Sequence, residues 1–282
     1  MIPTSFEYQR ATSVDEALAK LGAGGAKLLA GGHSLIPLMK LRMSEPQTLI
    51  DISRIKELAG IKSVGNTIEI GSGTTHHDVA TSALLRDACP VLAETAAEIG
   101  DPQVRNRGTL GGSLAHADPS ADYPATILAL DAEIQIKGAN GSRSVKASDF
   151  FIDLFTVDLA ADEIITSVRF TPARAAAYAK LHQRASHFAI VGVAAALTVS
   201  GGKIASARIG LTGALSHAVR LTAVEQALQG KAASADTIAA ASANAGANLA
   251  DLNSDIHASA DYRRAMISVF TKRALEKALS RA

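Results

Sequence analysis

Two pairs of consecutive glycines, each followed within two residues by a serine and then an apolar helical pattern, constrain this chain more than any other feature. The first pair, Gly31-Gly32, lies in LLAGGHSLIPLMKLRM (residues 28–43), after an apolar stretch that predicts a buried strand. The second pair, Gly111-Gly112, lies in GTLGGSLAHADPSADYP (residues 108–124). Glycine loses more backbone entropy on folding than any other residue, so these pairs indicate places where the backbone itself must be approached closely.

Main-chain N–H groups that no side chain covers can form a nest for phosphate oxygens at the start of a helix. Neither pair has the G-x-G-x-x-G spacing of a dinucleotide-binding turn or the spacing of a P-loop. Asp118 and Asp122 follow the second pair, and their carboxylates could accept hydrogen bonds from ribose hydroxyls or an adenine amino group. The residues alone leave two interpretations open: a site for a nucleotide diphosphate, or two structural turns.

The charge balance argues against nucleic acid as the main partner, because 28 basic and 27 acidic residues leave no excess of cations to neutralise phosphates. No stretch approaches the roughly 20 apolar residues of a membrane span. The opening MIPTSFEYQR lacks a basic-then-apolar signal pattern, which predicts a cytoplasmic protein. The one cysteine, Cys89, excludes an intrachain disulfide and a cysteine-ligated iron–sulfur cluster, and we expect it to be a packed core residue.

The order of the predicted elements indicates an α+β chain with two domains, which suits a length of 282 residues. A capping box at Ser13 predicts a first helix, and a strand–helix–strand pattern over residues 26–52 predicts a compact βαβ unit. Further on, the patterns predict hairpins over 61–71 and 132–147, a strand over 163–170, and a long irregular functional loop over 100–121. The first domain is predicted to span residues 1–172, with lobes at about 1–58 and 59–172.

Residues 173–282 are predicted to form a C-terminal domain of antiparallel strands and helices, beyond a boundary at the proline of Thr171-Pro172. Residues 188–213 predict antiparallel strands that turn at Gly201-Gly202. Helices are predicted over residues 222–229, 235–249 and 259–280. The packed face of the last helix is predicted from Tyr262, Met266, Val269, Phe270 and Arg273, which stand at helical spacing.

The segments AGGHSLIPLMKLRM and TLGGSLAHADPSADYPA resemble the two flavin-binding signatures of the medium subunit of the molybdenum hydroxylases. The segments MIPTSFEY, GSGTTHHDVA, IGDPQVRNRGTLGG and the long YAKLHQRASHFAIVGVAAALTVSGGKIASARIGLTG are similar to the same family, nearest its aerobic carbon monoxide dehydrogenase type. The resemblance therefore extends over nearly the whole chain. It implies a two-lobed FAD-binding domain of the vanillyl-alcohol-oxidase (PCMH) type, with FAD between the lobes, and a C-terminal domain of the carbon monoxide dehydrogenase flavoprotein type.

The resemblance also implies which residues bind FAD, by their positions in the motifs. The first diphosphate-binding segment would contain Ala30, Gly31, Gly32, His33, Ser34 and Leu35. The second would contain Thr109, Gly111, Gly112 and Ser113, where relatives often have asparagine at the last position. Asp118 and Asp122 would follow, with Asp122 at the family's adenosine-side acidic position, and Leu159 and Lys180 would flank the flavin. No catalytic acid, base or nucleophile is expected in this chain.

Members of this family work in complexes, so the resemblance implies partners. A small subunit would hold two [2Fe-2S] clusters and a large subunit would hold the molybdopterin, in a dimer of heterotrimers. Electrons from substrate oxidation at molybdenum would reach FAD through the clusters and leave for an external acceptor, which could bring the complex to the inner face of the membrane. Carbon monoxide is the expected substrate; N-heterocycles such as nicotine, purines and aldehydes are alternatives, and a non-redox nucleotide-binding module is a further one.

Histidines in two short motifs could suggest a metal site. His76-His77-Asp78 and His116-x-Asp118 contain ligand types for zinc, but adjacent histidines on a helix point in different directions. We therefore predict no metal site. His33 lies inside the first glycine segment, and two interpretations stay open for it: contact with phosphate or flavin, or support of the residues that make that contact.

Overall fold

A computed structural model of the chain describes residues 2–282, so the predicted start of the first domain and lobe at residue 1 lies outside the described residues. The first lobe contains β1 (Glu7–Arg10), α1 (Val14–Leu21), β2 (Ala26–Leu29), α2 (Leu35–Lys40) and β3 (Thr48–Asp51). Its three strands form a parallel sheet in the order β1-β3-β2, with Ala26 opposite Thr48. The predicted βαβ unit over β2, α2 and β3 is confirmed.

The predicted capping box explains where α1 begins. The Ser13 hydroxyl accepts a hydrogen bond from the main-chain N–H of Glu16 (3.1 Å), and the Glu16 carboxylate accepts one from the N–H of Thr12 (2.8 Å). These bonds satisfy N–H groups that have no partner inside the helix. The apolar face of α1 then packs on the sheet and forms the core of this lobe with Ile50 and Leu58.

The second lobe is built on a five-stranded antiparallel sheet. Its helices are α3 (His76–Thr81), α4 (Ala83–Ala88), α5 (Pro90–Ala97), α6 (Pro102–Arg105), α7 (Leu110–His116), α8 (Tyr123–Ala129) and α9 (Ala147–Phe150). Its strands are β4 (Ile61–Val64), β5 (Thr67–Gly71), β6 (Glu133–Gly138), β7 (Gly141–Lys146), β8 (Phe151–Asp153), β9 (Thr156–Val157) and β10 (Ile164–Phe170). The sheet order is β4-β5-β10-β6-β7, and β8 pairs with β9 separately. Both predicted hairpins and the predicted strand are present.

The prediction of an irregular loop over residues 100–121 is wrong, because α6 and α7 lie within it. Asp101 accepts a hydrogen bond from the N–H of Val104 (2.8 Å) and so begins α6, with Pro102 at the first helical position. Thr109 begins α7 in the same way, through the N–H of Gly112 (3.1 Å). The sequence does not indicate α7, because the glycine pair at its start has a low helix propensity and favours a turn.

The C-terminal domain contains a four-stranded antiparallel sheet in the order β11-β12-β13-β14, covered by helices. Its elements are β11 (Ala176–His182), β12 (Ala189–Ser200), β13 (Lys203–Thr212), β14 (Val219–Arg220), α10 (Thr222–Leu228), α11 (Ala235–Ser242) and α12 (Ala260–Leu279). The predicted turn at Gly201-Gly202 joins β12 to β13. The helix predicted over 235–249 ends at Ser242, and Arg264 binds the carbonyl oxygens of Ala247 and Leu249 beyond it.

The packed face of α12 is rotated from the one that the spacing predicts. Ile267, Phe270 and Ala274 are buried, whereas Tyr262 and Val269 are 47% and 36% exposed. Arg263 is buried as well, and its guanidinium donates to the carbonyl oxygens of Ile190 (2.6 Å) and Gly213 (2.8 Å). The buried face of α12 is thus the one that packs on the sheet, where Arg263 reaches main-chain acceptors. None of the helices within residues 2–282 is long and apolar enough to cross a membrane.

Cys89 lies at the end of α4 and is fully buried in the core of the second lobe. Burial raises the pKa of its thiol to about 12, so almost no thiolate is present at neutral pH. We expect a thiol-specific disulfide reagent to leave the native protein unmodified and to modify one thiol per chain after denaturation. The absorbance of the thiol that the reagent releases measures the modification. Rapid modification of the native protein would contradict the burial of Cys89.

Candidate functional site

The first glycine segment connects β2 to α2, as predicted. Gly32 has φ +79°, in the left-handed region, and a Cβ there would lie 2.8 Å from a side-chain atom of Ile36. Its carbonyl oxygen accepts a hydrogen bond from the N–H of Ile36 (3.0 Å). The backbone conformation therefore favours glycine at position 32, whereas the close contact is only with the end of the flexible Ile36 side chain.

The main-chain N–H groups of this segment are available to a ligand. Within residues 2–282, those of Gly31, Gly32, His33 and Ser34 donate to no protein acceptor. His33 and Ser34 are exposed, and Ala30 and Leu35 at the two ends of the segment are half-buried. Consecutive N–H groups without protein partners form an anion-binding concavity, which fits the phosphate oxygens of a diphosphate.

The second glycine pair is part of a helix rather than a turn. Gly111 and Gly112 lie inside the first turn of α7, and their N–H groups are already bound: that of Gly111 to the carbonyl oxygen of Ser72 (2.8 Å), that of Gly112 to the hydroxyl of Thr109. A Cβ at Gly111 would lie 2.4 Å from Cβ of Ser72. Gly111 therefore allows α7 to pack closely on the segment that follows β5. Ser113, one residue further, is half-buried, and its N–H is bound to the Thr109 carbonyl oxygen.

The two glycine segments are adjacent in space. A Cβ at Gly31 would lie 2.3 Å from the carbonyl oxygen of Arg107 and 2.8 Å from Cα of Gly108. Real Cβ atoms essentially never approach backbone atoms this closely. The first segment therefore lies directly against the residues that lead into α7, and a side chain at position 31 would separate the two lobes here.

Asp122 and Lys180 come together, as a buried ion pair. The Lys180 ammonium lies 2.8 Å from Oδ1 of Asp122 and also donates to the carbonyl oxygen of Glu98 (2.9 Å). The Tyr178 hydroxyl donates to Oδ1 of Asp122 (2.6 Å). Burial raises the pKa of Asp122 to about 6, and the nearby ammonium and hydroxyl limit the rise. The pair connects α8 of the second lobe to β11 of the C-terminal domain.

The Asp122 carboxylate, which we predict near adenosine, faces the protein interior, where Lys180 and Tyr178 bind its oxygens. The side chains of Asp122 and Lys180 are only 5% and 1% exposed. Sequence reasoning missed Tyr178, and it also missed Gly192, where a Cβ would lie 2.2 Å from the Tyr178 hydroxyl. The absence of a side chain at position 192 makes room for that hydroxyl, and no sequence motif signals this.

Asp118 and Leu159 lie outside the contact between the two glycine segments. The Asp118 carboxylate accepts a hydrogen bond from the N–H of Ser120 (2.8 Å), and Asp118 lines a cavity of about 220 Å³ together with Phe188 and Arg263. Leu159 follows β9 and packs partly against the core of the second lobe. Asp118 therefore shapes a turn between α7 and α8, and Leu159 adds apolar surface at the end of a hairpin.

The histidines are separated by the fold. His76 is buried and its neighbour His77 is exposed, so the two rings cannot share a ligand. Burial, with smaller contributions from the nearby His33 and Arg105, lowers the pKa of His76 to about 4, so the His76 imidazole is neutral at pH 7. Among residues 2–282, no three histidine, cysteine, aspartate or glutamate side chains are grouped so as to hold a metal ion.

Comparison with known families defines the class of protein. The family described as "FAD binding domain in molybdopterin dehydrogenase" matches residues 4–174, and "CO dehydrogenase flavoprotein C-terminal domain" matches residues 176–278. The chain belongs to the FAD-binding subunits of the molybdopterin dehydrogenases. The resemblance inferred from its motifs, the α+β fold and FAD as the cofactor are thereby confirmed.

Particular relatives cover the whole chain. The carbon monoxide dehydrogenase medium chain of Hydrogenophaga pseudoflava is 42% identical over 286 residues, which are 100% of this chain and 99% of that one. The 6-hydroxypseudooxynicotine dehydrogenase complex subunit alpha of Paenarthrobacter nicotinovorans is 40% identical over 288 residues, covering 100% and 97%. The solved carbon monoxide dehydrogenase from H. pseudoflava, in a form that lacks the Mo-pyranopterin moiety, superposes with a TM-score of 0.95 at 42% identity over the full length of both chains.

The structure itself fits a bound FAD. The N–H groups of residues 31–34 are available, and glycines at positions 31 and 32 leave the backbone uncovered. The residues that lead into α7 lie against Gly31, so residues of both lobes are adjacent here. A diphosphate ligand needs main-chain N–H donors of this kind on a surface that side chains leave open.

Proposed function

We propose that this chain is the flavoprotein subunit of a heterotrimeric molybdenum hydroxylase, in which FAD is held where the two glycine segments meet. One observation supports this most strongly: four consecutive free N–H groups lie in a segment that contacts the start of the α7 region. When bound, FAD would supply the redox chemistry: a flavin accepts electrons one at a time and releases them singly or in pairs. The chain's own part is to bind and orient the cofactor, and no residue of the chain acts as a catalytic acid, base or nucleophile.

The proposed cofactor-binding residues keep the predicted set, with roles that the geometry refines. Ala30, Gly31, Gly32, His33, Ser34 and Leu35 provide the diphosphate-binding segment. Thr109, Gly111, Gly112 and Ser113 lie next to that segment, where Thr109 and Gly111 fix the start of α7 against the residues that follow β5. Asp118 and Leu159 lie beside the region that the rest of the cofactor occupies. Asp122 and Lys180 support it from the interior, as the ion pair between α8 and β11.

We propose a division into an FAD-binding domain, residues 1–172, with lobes at about 1–58 and 59–172, and a C-terminal domain, residues 173–282. Three separate clusters of buried apolar residues support this division. The cluster of the second lobe also includes Tyr178, Ala194 and Ala196 of the C-terminal sheet, so the two domains pack tightly against each other.

The proposed partners are a small subunit with two 2Fe–2S clusters and a large molybdopterin subunit, assembled as a dimer of heterotrimers in the cytoplasm. Carbon monoxide is the proposed substrate of the complex, because the chain is 42% identical to one carbon monoxide dehydrogenase medium chain and 37% identical to another, from Afipia carboxidovorans. The 40% identity to the 6-hydroxypseudooxynicotine dehydrogenase complex subunit alpha favours an N-heterocycle or a related compound as the alternative substrate. Activity of the purified complex with carbon monoxide and with nicotine-like heterocycles would separate these two.

Binding of FAD by the purified chain tests the proposal directly. We expect the protein to carry non-covalent flavin, or to be reconstituted by FAD, and to be stabilised by FAD far more than by ADP or UDP-sugars in a thermal-shift titration. At a ligand concentration of about 100 times Kd, the stabilisation is about 2.7 kcal/mol. Stabilisation by ADP or a UDP-sugar but not by FAD would favour the non-redox nucleotide-binding module instead.

A further inference from the structure

His76 lies at the point where the two glycine segments meet. Its main-chain N–H donates to the carbonyl oxygen of Gly108 (2.9 Å). Its imidazole Nε2 lies 2.5 Å from the position that a Cβ on Gly108 would take. Gly108 in turn lies against Gly31, whose Cβ would be 2.8 Å from Cα of Gly108. The imidazole, Gly108 and the first glycine segment therefore form one continuous series of contacts.

The His76 side chain is an unusual choice for so buried a position. Its ring centroid lies 5.3 Å from that of Tyr123, and within residues 2–282 neither Nδ1 of His76 nor the hydroxyl of Tyr123 has a hydrogen-bond partner. A buried polar atom without a partner costs free energy, so an apolar side chain would serve stability better here. Stability alone therefore does not explain why an imidazole, rather than an apolar side chain, fills the space beside Gly108.

We propose that His76 is a positioning residue that holds Gly108 against Gly31 and thereby sets the spacing of the two segments that bind the FAD diphosphate. The inference rests on the proposed function, and it adds α3 to the elements that build the site. The Thr75 hydroxyl, which accepts from the N–H of Asp78 (3.1 Å), fixes the start of α3 and so the direction of His76.

A double-mutant cycle tests this role. His76→Ala removes the ring, and Gly108→Ala directs a methyl group into the space that the ring occupies. The next atom this methyl would meet is the Val104 carbonyl oxygen at 3.3 Å, so once the ring is gone the methyl needs a shift of only a few tenths of an ångström. We expect each single variant to raise the Kd for FAD by at least about tenfold, and the double variant His76→Ala/Gly108→Ala to recover most of that loss. His77→Ala, at the exposed neighbour, is the matched control and is expected to bind FAD like the natural protein.

Flavin fluorescence during FAD titration gives the affinities, at a temperature where near-UV circular dichroism shows each apo-protein to be folded. Affinity like that of the natural protein in folded His76→Ala would overturn the inference. Strictly additive losses in the double variant would overturn it too, because they would mean that the ring and the methyl group do not compete for one space. Failure of the natural protein to bind FAD would instead refute the proposed function, so the two failures are distinguishable.

Discussion

Replacing Gly31 with alanine is expected to abolish detectable FAD binding, with a Kd raised by at least about 100-fold, equivalent to about 2.7 kcal/mol. The new Cβ would lie 2.3 Å from the carbonyl oxygen of Arg107, which is a main-chain atom and cannot rotate away as a flexible side chain could. The strain can be relieved only if the first glycine segment moves away from the segment that leads into α7. Because the diphosphate would be held where the segments meet, that movement separates the groups that bind it.

Gly22→Ala is the matched control for this prediction. Gly22 follows α1, and a Cβ there would lie 3.5 Å from its nearest neighbour, the carbonyl oxygen of Leu18, which is ordinary van der Waals contact. The flavin content of both purified variants, measured by absorbance, gives the comparison. Wild-type flavin content in Gly31→Ala would mean that the two segments do not hold the cofactor together.

A valine at Gly32 or Gly111 is expected to have a similar effect for different reasons. At Gly32 the left-handed backbone, with φ +79°, excludes a β-branched residue. At Gly111 the side chain would collide with Ser72 and displace the start of α7. Gly111 therefore acts through the packing of the helix, since its N–H group is already bound within the protein.

Replacing Asp122 with alanine is expected to destabilise the fold by about 3–5 kcal/mol, because the Lys180 ammonium would stay buried without an opposite charge. The Glu98 carbonyl oxygen would still accept a hydrogen bond from Lys180, but a neutral acceptor does not compensate the full positive charge of the ammonium. The loss should appear in the free energy of unfolding measured by chemical denaturation. It should also loosen the contact between α8 and β11, which the ion pair connects.

Two comparisons make this second prediction specific. The double variant Asp122→Leu/Lys180→Met removes both charges and is expected to recover most of the stability, because replacing a whole buried ion pair by apolar groups is often nearly neutral. Asp87→Ala removes the exposed partner of Arg174 and is expected to cost no more than about 1 kcal/mol. If Asp122→Ala were as mild as Asp87→Ala, the buried pair would not contribute as its geometry indicates.

Much of the fold could be predicted because its signals are local. The capping residues Ser13 and Thr75 begin their helices as their positions indicate, and the hairpins turn at Gly65 and Gly201. The first glycine segment could be recognised in the same way, since a strand, a glycine pair and a helix follow each other directly. Each of these features depends on interactions between residues close together in the chain.

The features that neighbouring residues do not indicate share a different cause. The turn predicted at Gly111-Gly112 is a helix instead, and the Ser72 carbonyl oxygen accepts from the N–H of Gly111. The Asp122 carboxylate, which we predict near adenosine, is bound by Lys180 and Tyr178 of the C-terminal domain. In each case the partner lies far away in the chain, so the pattern around the residue carries no information about it.

The sequence by itself determined the class of the protein and the cofactor, and it predicted the first diphosphate-binding segment, because motif spacing and glycine's conformational freedom are local properties. Only the tertiary structure decided that Gly31 abuts Arg107, that the second glycine pair packs a helix, and that Asp122 is paired in the interior. These outcomes depend on which backbone and side-chain atoms reach the same space, and close packing between distant segments settles that question only once the chain has folded.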